Sequence, residues 1–304
     1  MKREKIKDKV IYRDRDTESL IEEKGPFPKI LDWLYQSSDG ELLLENLIKR
    51  KAISYFFGYL SNLKISRRFI NPFIKKYEIN KREFQKEINE FSNFNDFFSR
   101  KLKTNIRKID ENINSVISPS DGKILVYNNF RKKRMFIKGI GYNLNELIND
   151  KTLVNYYQNP VIIVLRLNID DYHRFHFPLS CYYERLIKKP GYYYSVYPTT
   201  LKKRINNFCK NKRNISVLNH KKKFKFLMIE VGSTLVGSIK QTALTNNYYK
   251  KGDEKGYFCF GGSTIILIFN SEFIDINQDI LKDTNKGIEK KILMGDQLAT
   301  LKGA

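Results

Sequence analysis

Residues 251–269, KGDEKGYFCFGGSTIILIF, run from a turn into an apolar segment. Gly261 and Gly262, followed by Ser263 and Thr264, interrupt what would otherwise be one continuous strand. Glycine permits backbone conformations closed to other residues and lets another group approach the main chain closely. Taken alone, such a break fits an ordinary bulge, or a turn that contains a serine. Working outward, the grammar from about Ile117 onward stays strand-like. Short runs at 123–127, 161–167 and 224–229 are broken by turns rich in Gly, Pro and Asn.

Upstream the texture changes. From about Pro26 to Leu102 the chain reads as a string of short helices: Phe27, Ile30, Leu31, Leu34 and Tyr35 follow helical spacing, and residues 42–48 continue it. Ser66 can cap a segment carrying Phe69, Ile70, Phe73 and Ile74. Phe94, Phe97 and Phe98 stand at i, i+3 and i+4, with Ser92 or Asn93 as the cap. A boundary near residues 104–112 divides a helical N-terminal region, 1–105, from a β-rich part, 106–304. The expectation is an α+β protein in which the helical region packs on a β-rich core that contains the Gly-Gly-Ser-Thr break.

A chain of 304 residues with 41% hydrophobic and 13% aromatic residues can bury a sizeable core, which excludes a disordered tail. Its longest apolar runs, at 161–165 and 265–269, are strand-sized and far below the roughly 18 residues of a membrane span. The opening MKREKIKDKVIYRDRD has no apolar h-region, which argues against a secretory signal. Cys181, Cys209 and Cys259 form no CxxC pair, and only His173, His176 and His220 exist, so a reducing compartment and no metal centre are expected. Lys plus Arg number 56 against 33 acids, a formal net charge of +23. That balance fits either a solvated basic surface or attraction to a polyanion, nucleic acid or an anionic membrane. In the helical region aromatics and bases interleave around residues 51–76, as on a helix lying in the headgroup layer. The same rings could equally pack the helices onto the core.

Two further stretches hold groups able to do chemistry. Residues 171–178, DYHRFHFP, carry two histidines three apart, and residues 117–124, ISPSDGKI, place Asp121 at a turn before a strand. An acid, a histidine and a serine can form an activating relay in which His is the base and Asp fixes its tautomer. Composition alone does not prove one.

Read in order, these motifs resemble the phosphatidylserine decarboxylases, pyruvoyl-dependent enzymes, and especially the bacterial members with a GGST processing site. The likeness takes in FNDFFSRKL at 94–102, SPSDGK at 118–123, IKGIGY at 137–142, DYHRFHFP at 171–178, VGSTLVGSI at 231–239, KGDEKGYFCFGGST at 251–264 and MGDQLATL at 294–301. The resemblance implies a proenzyme that cuts itself between Gly262 and Ser263. The Ser263 hydroxyl attacks the Gly262 carbonyl, turning an amide into an ester; elimination leaves dehydroalanine, which loses ammonia to give a pyruvoyl group. A serine hydroxyl needs a base, and by the family's pattern that base is His176, oriented by Asp121. His173 matches the other family histidine, near the substrate during decarboxylation or reprotonation. The pyruvoyl ketone condenses with the amine of phosphatidylserine as a Schiff base and accepts the electron pair left by carbon dioxide, giving phosphatidylethanolamine without a metal. The large and small chains are expected to stay associated as a heterodimer, at the cytoplasmic face of the cell membrane, peripherally bound.

Two positions depart from the family's pattern: Tyr197 stands where Asn is usual, and Ser233, in a second Gly-Ser-Thr, stands where Ala is more usual. Ser233 is thus a decoy for cleavage, and the double glycine and KGDEKG lead-in favour Ser263. Rival readings are a nucleic-acid-binding protein, suggested by charge but without a recognised motif; a pyruvoyl decarboxylase of a soluble amino-acid derivative; and a scaffold without activity. Retention of Asp121, His176 and Ser263 together speaks against the last.

Overall fold

The computed structural model describes residues 10–23, 51–128, 134–137, 140–194, 207–221, 223–233, 238–261 and 263–303. In chain order the strands begin with β1 (Ile11–Arg13), β2 (Leu20–Glu22), β3 (Ser115–Ile117), β4 (Gly122–Tyr127), β5 (Arg134–Ile137) and β6 (Ile140–Asn143). Next come β7 (Pro160–Leu167), β8 (Arg174–His176), β9 (Cys181–Lys189), β10 (Arg213–His220), β11 (Phe224–Gly232) and β12 (Ile239–Gln241). The last are β13 (Asn247–Tyr249), β14 (Glu254–Phe258), β15 (Ser263–Asn270), β16 (Ile274–Ile276), β17 (Glu289–Ile292) and β18 (Gln297–Leu301). Helices are α1 (Lys51–Asn62), α2 (Ile70–Tyr77), α3 (Phe94–Phe98), α4 (Leu144–Ile148), α5 (Lys151–Tyr156), α6 (Asn207–Lys210) and α7 (Gln278–Asn285). The fold is α+β, as the sequence predicts.

Ten strands form one mixed sheet in the order β13-β9-β10-β11-β15-β7-β4-β17-β1-β2. Its centre is β15, antiparallel to β11 on one side and β7 on the other. Side chains alternate across a strand, and β15 feeds two separate cores. Ile265, Leu267 and Phe269 enter one, together with Val161, Ile163 and Leu165 of β7 and Phe226 and Met228 of β11. Ile266 and Ile268 enter the other, which α4 and α5 cover with Leu144, Leu147, Ile148, Leu153 and Val154. Burial on both faces explains why these strands read as unbroken apolar runs. The smaller sheets β12-β14-β8 and β16-β18-β3 contribute Phe258, Phe175, Ile276 and Leu298 to the first core.

A third core belongs to the helical region. Ile70, Ile74 and Tyr77 of α2 meet Phe84, Phe91, Phe94, Phe97 and Phe98, and this cluster closes on Ile169 and Phe260. Those two residues sit just after β7 and just before β15, so the helices pack directly against the segment that leads to Ser263. Asn93 caps α3 by accepting a hydrogen bond from Asp96 N, as expected. Ser66 is no cap: its hydroxyl donates to main-chain oxygens of Ser61 and Leu63 and accepts from Phe94 N, tying α3 to the preceding helical turn. Residues 27–35 and 42–48, whose spacing predicts helices, lie outside the described residues, as does Tyr197. The N-terminal part is not helical throughout, since β1 pairs in parallel with β17 and β2 with β1, extending the large sheet.

Among the polar groups taken into the first core, Lys255 and Glu230 are both fully buried and joined at 2.8 Å, with Gln241 bonded to each. Removing one partner of such a pair strands the other charge, a loss of about 3–5 kcal/mol, whereas replacing both with apolar residues is often neutral. Lys255→Met should therefore lower stability to urea by that amount. Adding Glu230→Leu should recover most of the loss.

Candidate active site

The rows of the large sheet bring Asp121 and Ser263, two of the candidate residues, to one end of it. Lys123, Arg166 and Thr264 stand side by side on β4, β7 and β15. Ser263, the first residue of β15, pairs with Leu167 and with Gly232. Asp121, immediately before β4, thus lies about two strand spacings, roughly 10 Å, across the sheet from the start of β15. Gly122 follows it because β7 comes so close there: a Cβ would meet the Arg166 carbonyl oxygen at 2.7 Å. Gly261 takes φ 135°, a conformation L side chains rarely adopt, which accounts for a glycine on the approach to Ser263. Gly262 itself lies outside the described residues.

The Ser263 hydroxyl is fully buried and, among the described residues, has no hydrogen-bond partner. Leaving a polar group so costs about 1–3 kcal/mol, and native structures keep few such groups without a use. Its neighbour Thr264 is in the same state. Ser233, buried at the end of β11 beside Ser263, has an interaction of its own.

Both histidines of DYHRFHFP are buried, and main-chain carbonyls fix both tautomers. A carbonyl only accepts, so Nδ1 of His173 donates to Asp171 O at 2.9 Å, and Nδ1 of His176 donates to Gly252 O at 2.9 Å. Each Nε2 is therefore the lone-pair nitrogen. That of His176 accepts from the Tyr172 hydroxyl at 3.2 Å; that of His173 has no partner. The expected hydrogen bond from Asp121 to His176 is not among the described contacts. Asp121 instead accepts from Nε and Nη2 of Arg107, at 3.0 and 2.7 Å, and from Met294 N at 2.9 Å. Its charge still reaches His176 through space and favours protonation there, although burial pulls the His176 pKa down overall. His173 contacts the segment that leads to the break. Its carbonyl accepts from Phe258 N, and its ring lies 4.0 Å from that of Phe98, which also touches Phe260.

Behind the histidines lies a buried charge network that motif reading passed over. Lys123 binds Asp171 at 2.9 Å and Glu23 at 3.5 Å; Arg166 binds Glu23 at 3.0 Å and Glu289 at 2.6 Å. Burial works against ionising Asp171, but Lys123 holds its carboxyl below the usual range. Arg107 was also missed, since it sits in the stretch that reads only as a boundary, and Glu83 of the helical region reaches it at 3.0 Å. No cluster of three or more metal-ligating side chains occurs among the described residues, and the three cysteines are free.

Residues 94–300 match the family model described as phosphatidylserine decarboxylase. The chain is 40% identical to the phosphatidylserine decarboxylase proenzyme of Fusobacterium nucleatum, over 97% of this chain and 99% of that one. The chain belongs to the phosphatidylserine decarboxylase family. Proteins of the same name from Clostridium botulinum and Clostridium tetani are each 43% identical to it, over 96% and 94% of this chain and 99% and 97% of theirs. Within this family frame, the partnerless Ser263 is the residue that the break in 251–269 singles out.

Burial pushes the His173 pKa down to about 3, with Arg100 and Lys123 adding to the effect. In the unfolded chain the ring titrates near 6.5. Between those values the unfolded state binds one more proton, so stability falls as pH drops, by up to about 1.4 kcal/mol per unit. Asp170 opposes this, because burial and the neighbouring Asp171 raise its pKa to about 6 and the folded chain then holds the extra proton. The His173→Gln variant should consequently lose less stability than its parent between pH 6.5 and 5 in urea titrations. An equal loss in both would show that His173 does take up a proton in the folded state.

Proposed function

We propose that this chain is a proenzyme that cuts itself between Gly262 and Ser263 and then decarboxylates phosphatidylserine to phosphatidylethanolamine. The observation that carries the reading is the buried, partnerless Ser263 hydroxyl at the head of the central strand, behind two glycines, in a chain of this family. Attack of that oxygen on the Gly262 carbonyl needs no co-reactant, only a proton acceptor. His176 is that base, with Asp121 acting on it as a charge held in place by Arg107 and Met294 N, and with Gly252 O setting the tautomer. The Tyr172 hydroxyl must leave Nε2, or pass the proton on, for His176 to work. The open Nε2 of His173 then serves proton transfer in decarboxylation. A second reading has a specific observation in its favour: that lone pair is the free one, and His173 touches the segment leading to Ser263, so His173 could be the base for cleavage.

The residues present fit a pyruvoyl group, since its precursor Ser263 is buried and nothing competes for its oxygen. That group supplies the electron sink for the pair left behind by carbon dioxide. The chain's own part is to exclude water, through Phe98, Phe258 and Phe260, and to present the histidine nitrogens. Cleavage need not separate the products. Residues 263–304 contribute β15 between β11 and β7, β17 between β4 and β1, and β18 between β16 and β3. Such interleaving supports a lasting heterodimer.

Ser263→Ala should stay uncut, and wild type should release a fragment of about 42 residues, 263–304, only under denaturing conditions. Ser233→Ala should still mature. Asp121→Asn and His176→Ala should slow cleavage by about a hundredfold or more, while His173→Ala matures and fails mainly in decarboxylation. Normal maturation of His176→Ala with failure of His173→Ala would move the base to His173.

The lipid substrate requires docking at a bilayer, and the helical region has a surface for it. Phe73 packs inward against Phe94 and Phe97. Phe56, Tyr59, Ile65 and Phe69 are each more than half exposed, beside exposed Lys64, Arg67 and Arg68. The side chain of Tyr55 lies outside the described residues. No described helix is long and apolar enough to cross a membrane. A shallow apolar face ringed by bases, each worth roughly 1 kcal/mol near anionic lipid, supports peripheral binding at the cytoplasmic face. Phe56→Ser with Phe57→Ser should weaken sedimentation with phosphatidylserine vesicles and leave cleavage intact. Binding indifferent to lipid charge and to salt would defeat this docking.

A further inference from the structure

Buried cations in this protein are, with one exception, fully engaged. Lys255 meets Glu230, Lys123 meets Asp171, and Arg166 meets Glu23 and Glu289. Arg213 has no carboxylate, yet Nε, Nη1 and Nη2 all donate to main-chain oxygens, of Leu147, Cys209, Asn211 and Glu146. That is how a structural arginine is satisfied. Arg100 is different. Only 4% exposed, it donates through Nη2 to the carbonyls of Asp170 and Asp171, at 3.1 and 3.4 Å, while Nε and Nη1 are buried without a partner. Among the described residues it is the one buried cation with open donors.

Its surroundings are those of the site. The Asp171 carbonyl that accepts from Arg100 Nη2 is the same oxygen that accepts from His173 Nδ1. The rings of Phe84 and Phe97 lie against the guanidinium, at 5.4 and 5.3 Å, and shield it from water. The nearest acids are already taken: Asp121 by Arg107, Asp171 by Lys123, and Asp170 by Asn168 Nδ2. Burial lowers the Arg100 pKa, the mark of a charge held without a matched anion. A desolvated guanidinium with unused N–H groups, sharing a carbonyl partner with a buried histidine, is built to receive an oxyanion.

We infer that Arg100 binds an anionic group of the phospholipid headgroup, through its free Nε and Nη1 donors. The inference rests on the lipid decarboxylase reading above. Phosphatidylserine carries two such groups, the carboxylate and the phosphodiester, and both offer the same oxygen chemistry. Arg100 is then a substrate-binding residue, and it has no part in the cleavage of Gly262–Ser263.

The test uses full-length protein carrying Arg100→Gln or Arg100→Lys. Charge-assisted hydrogen bonds of this kind correspond to about ten- to a hundredfold in affinity. Arg100→Gln should self-cleave and show a KM for phosphatidylserine in mixed micelles raised by at least about tenfold, with Arg100→Lys in between. A binding readout independent of turnover comes from matured enzyme whose pyruvoyl ketone has been reduced to the alcohol with borohydride. Calorimetry is then run with glycerophosphoserine, with serine, which lacks the phosphate, and with glycerophosphoethanolamine, which lacks the carboxylate. Glycerophosphoserine affinity should fall in Arg100→Gln, and whichever of the other two falls with it names the group. Wild-type affinity of Arg100→Gln for all three would overturn the inference. So would failure of both variants to mature, which would assign Arg100 to building the site. A wild type that never matures strikes the processing reading instead, and leaves the binding comparison to be made on the uncut chain.

Discussion

The structure turns on a constraint of strand pairing: Ser263 opens a strand that is paired on both sides from its first residue to Ile268. A residue so held cannot drift, and the peptide bond before it emerges at the one end of the sheet where β4 begins and β7 and β11 finish. Asp121, Lys123, Arg166, Ser263 and Thr264 gather there because those strand ends gather there. Gly261, at φ 135°, takes a backbone conformation that other residues rarely adopt just before the chain is locked into the sheet. The Ser263 hydroxyl is consequently fixed and dry.

Charge is organised around that point in layers. Lys123 and Arg166 lie in the row with Thr264 and are neutralised by Glu23, Asp171 and Glu289. Beyond them the loop carrying Asp171 and His173 is pinned by main-chain contacts, so both histidines keep the same tautomer without a carboxylate touching either ring. The N-terminal strands join this arrangement through Glu23, and the helical region joins it through Glu83 and Arg107. The region that reads as a docking module is therefore wired to the site by side chains.

Much of this was legible from sequence, for physical reasons. Strands buried on both faces leave continuous apolar runs, so 161–167 and 224–229 announced themselves, and the Phe94, Phe97 and Phe98 spacing marked α3. The family motifs singled out Ser263, Asp121 and both histidines as candidates. What stayed hidden has no local signature. Strands β1 and β2 are three residues each, with no residue buried, and exist only because β17 offers an edge. The pairing of Asp121 with Arg107, and of His176 with Gly252 and Tyr172, depends on loops meeting in space. Arg100 stood inside a quoted motif, yet its open donors are visible only once every neighbour's partner is known.

The account is most directly tested by the intact mass of the purified wild-type protein under denaturing conditions. It predicts two species, residues 1–262 and 263–304. The smaller should be lighter than a serine-ended chain by the mass of one ammonia, as a pyruvoyl terminus requires. A single full-length species from folded protein, or a small chain beginning with an intact serine, would contradict it.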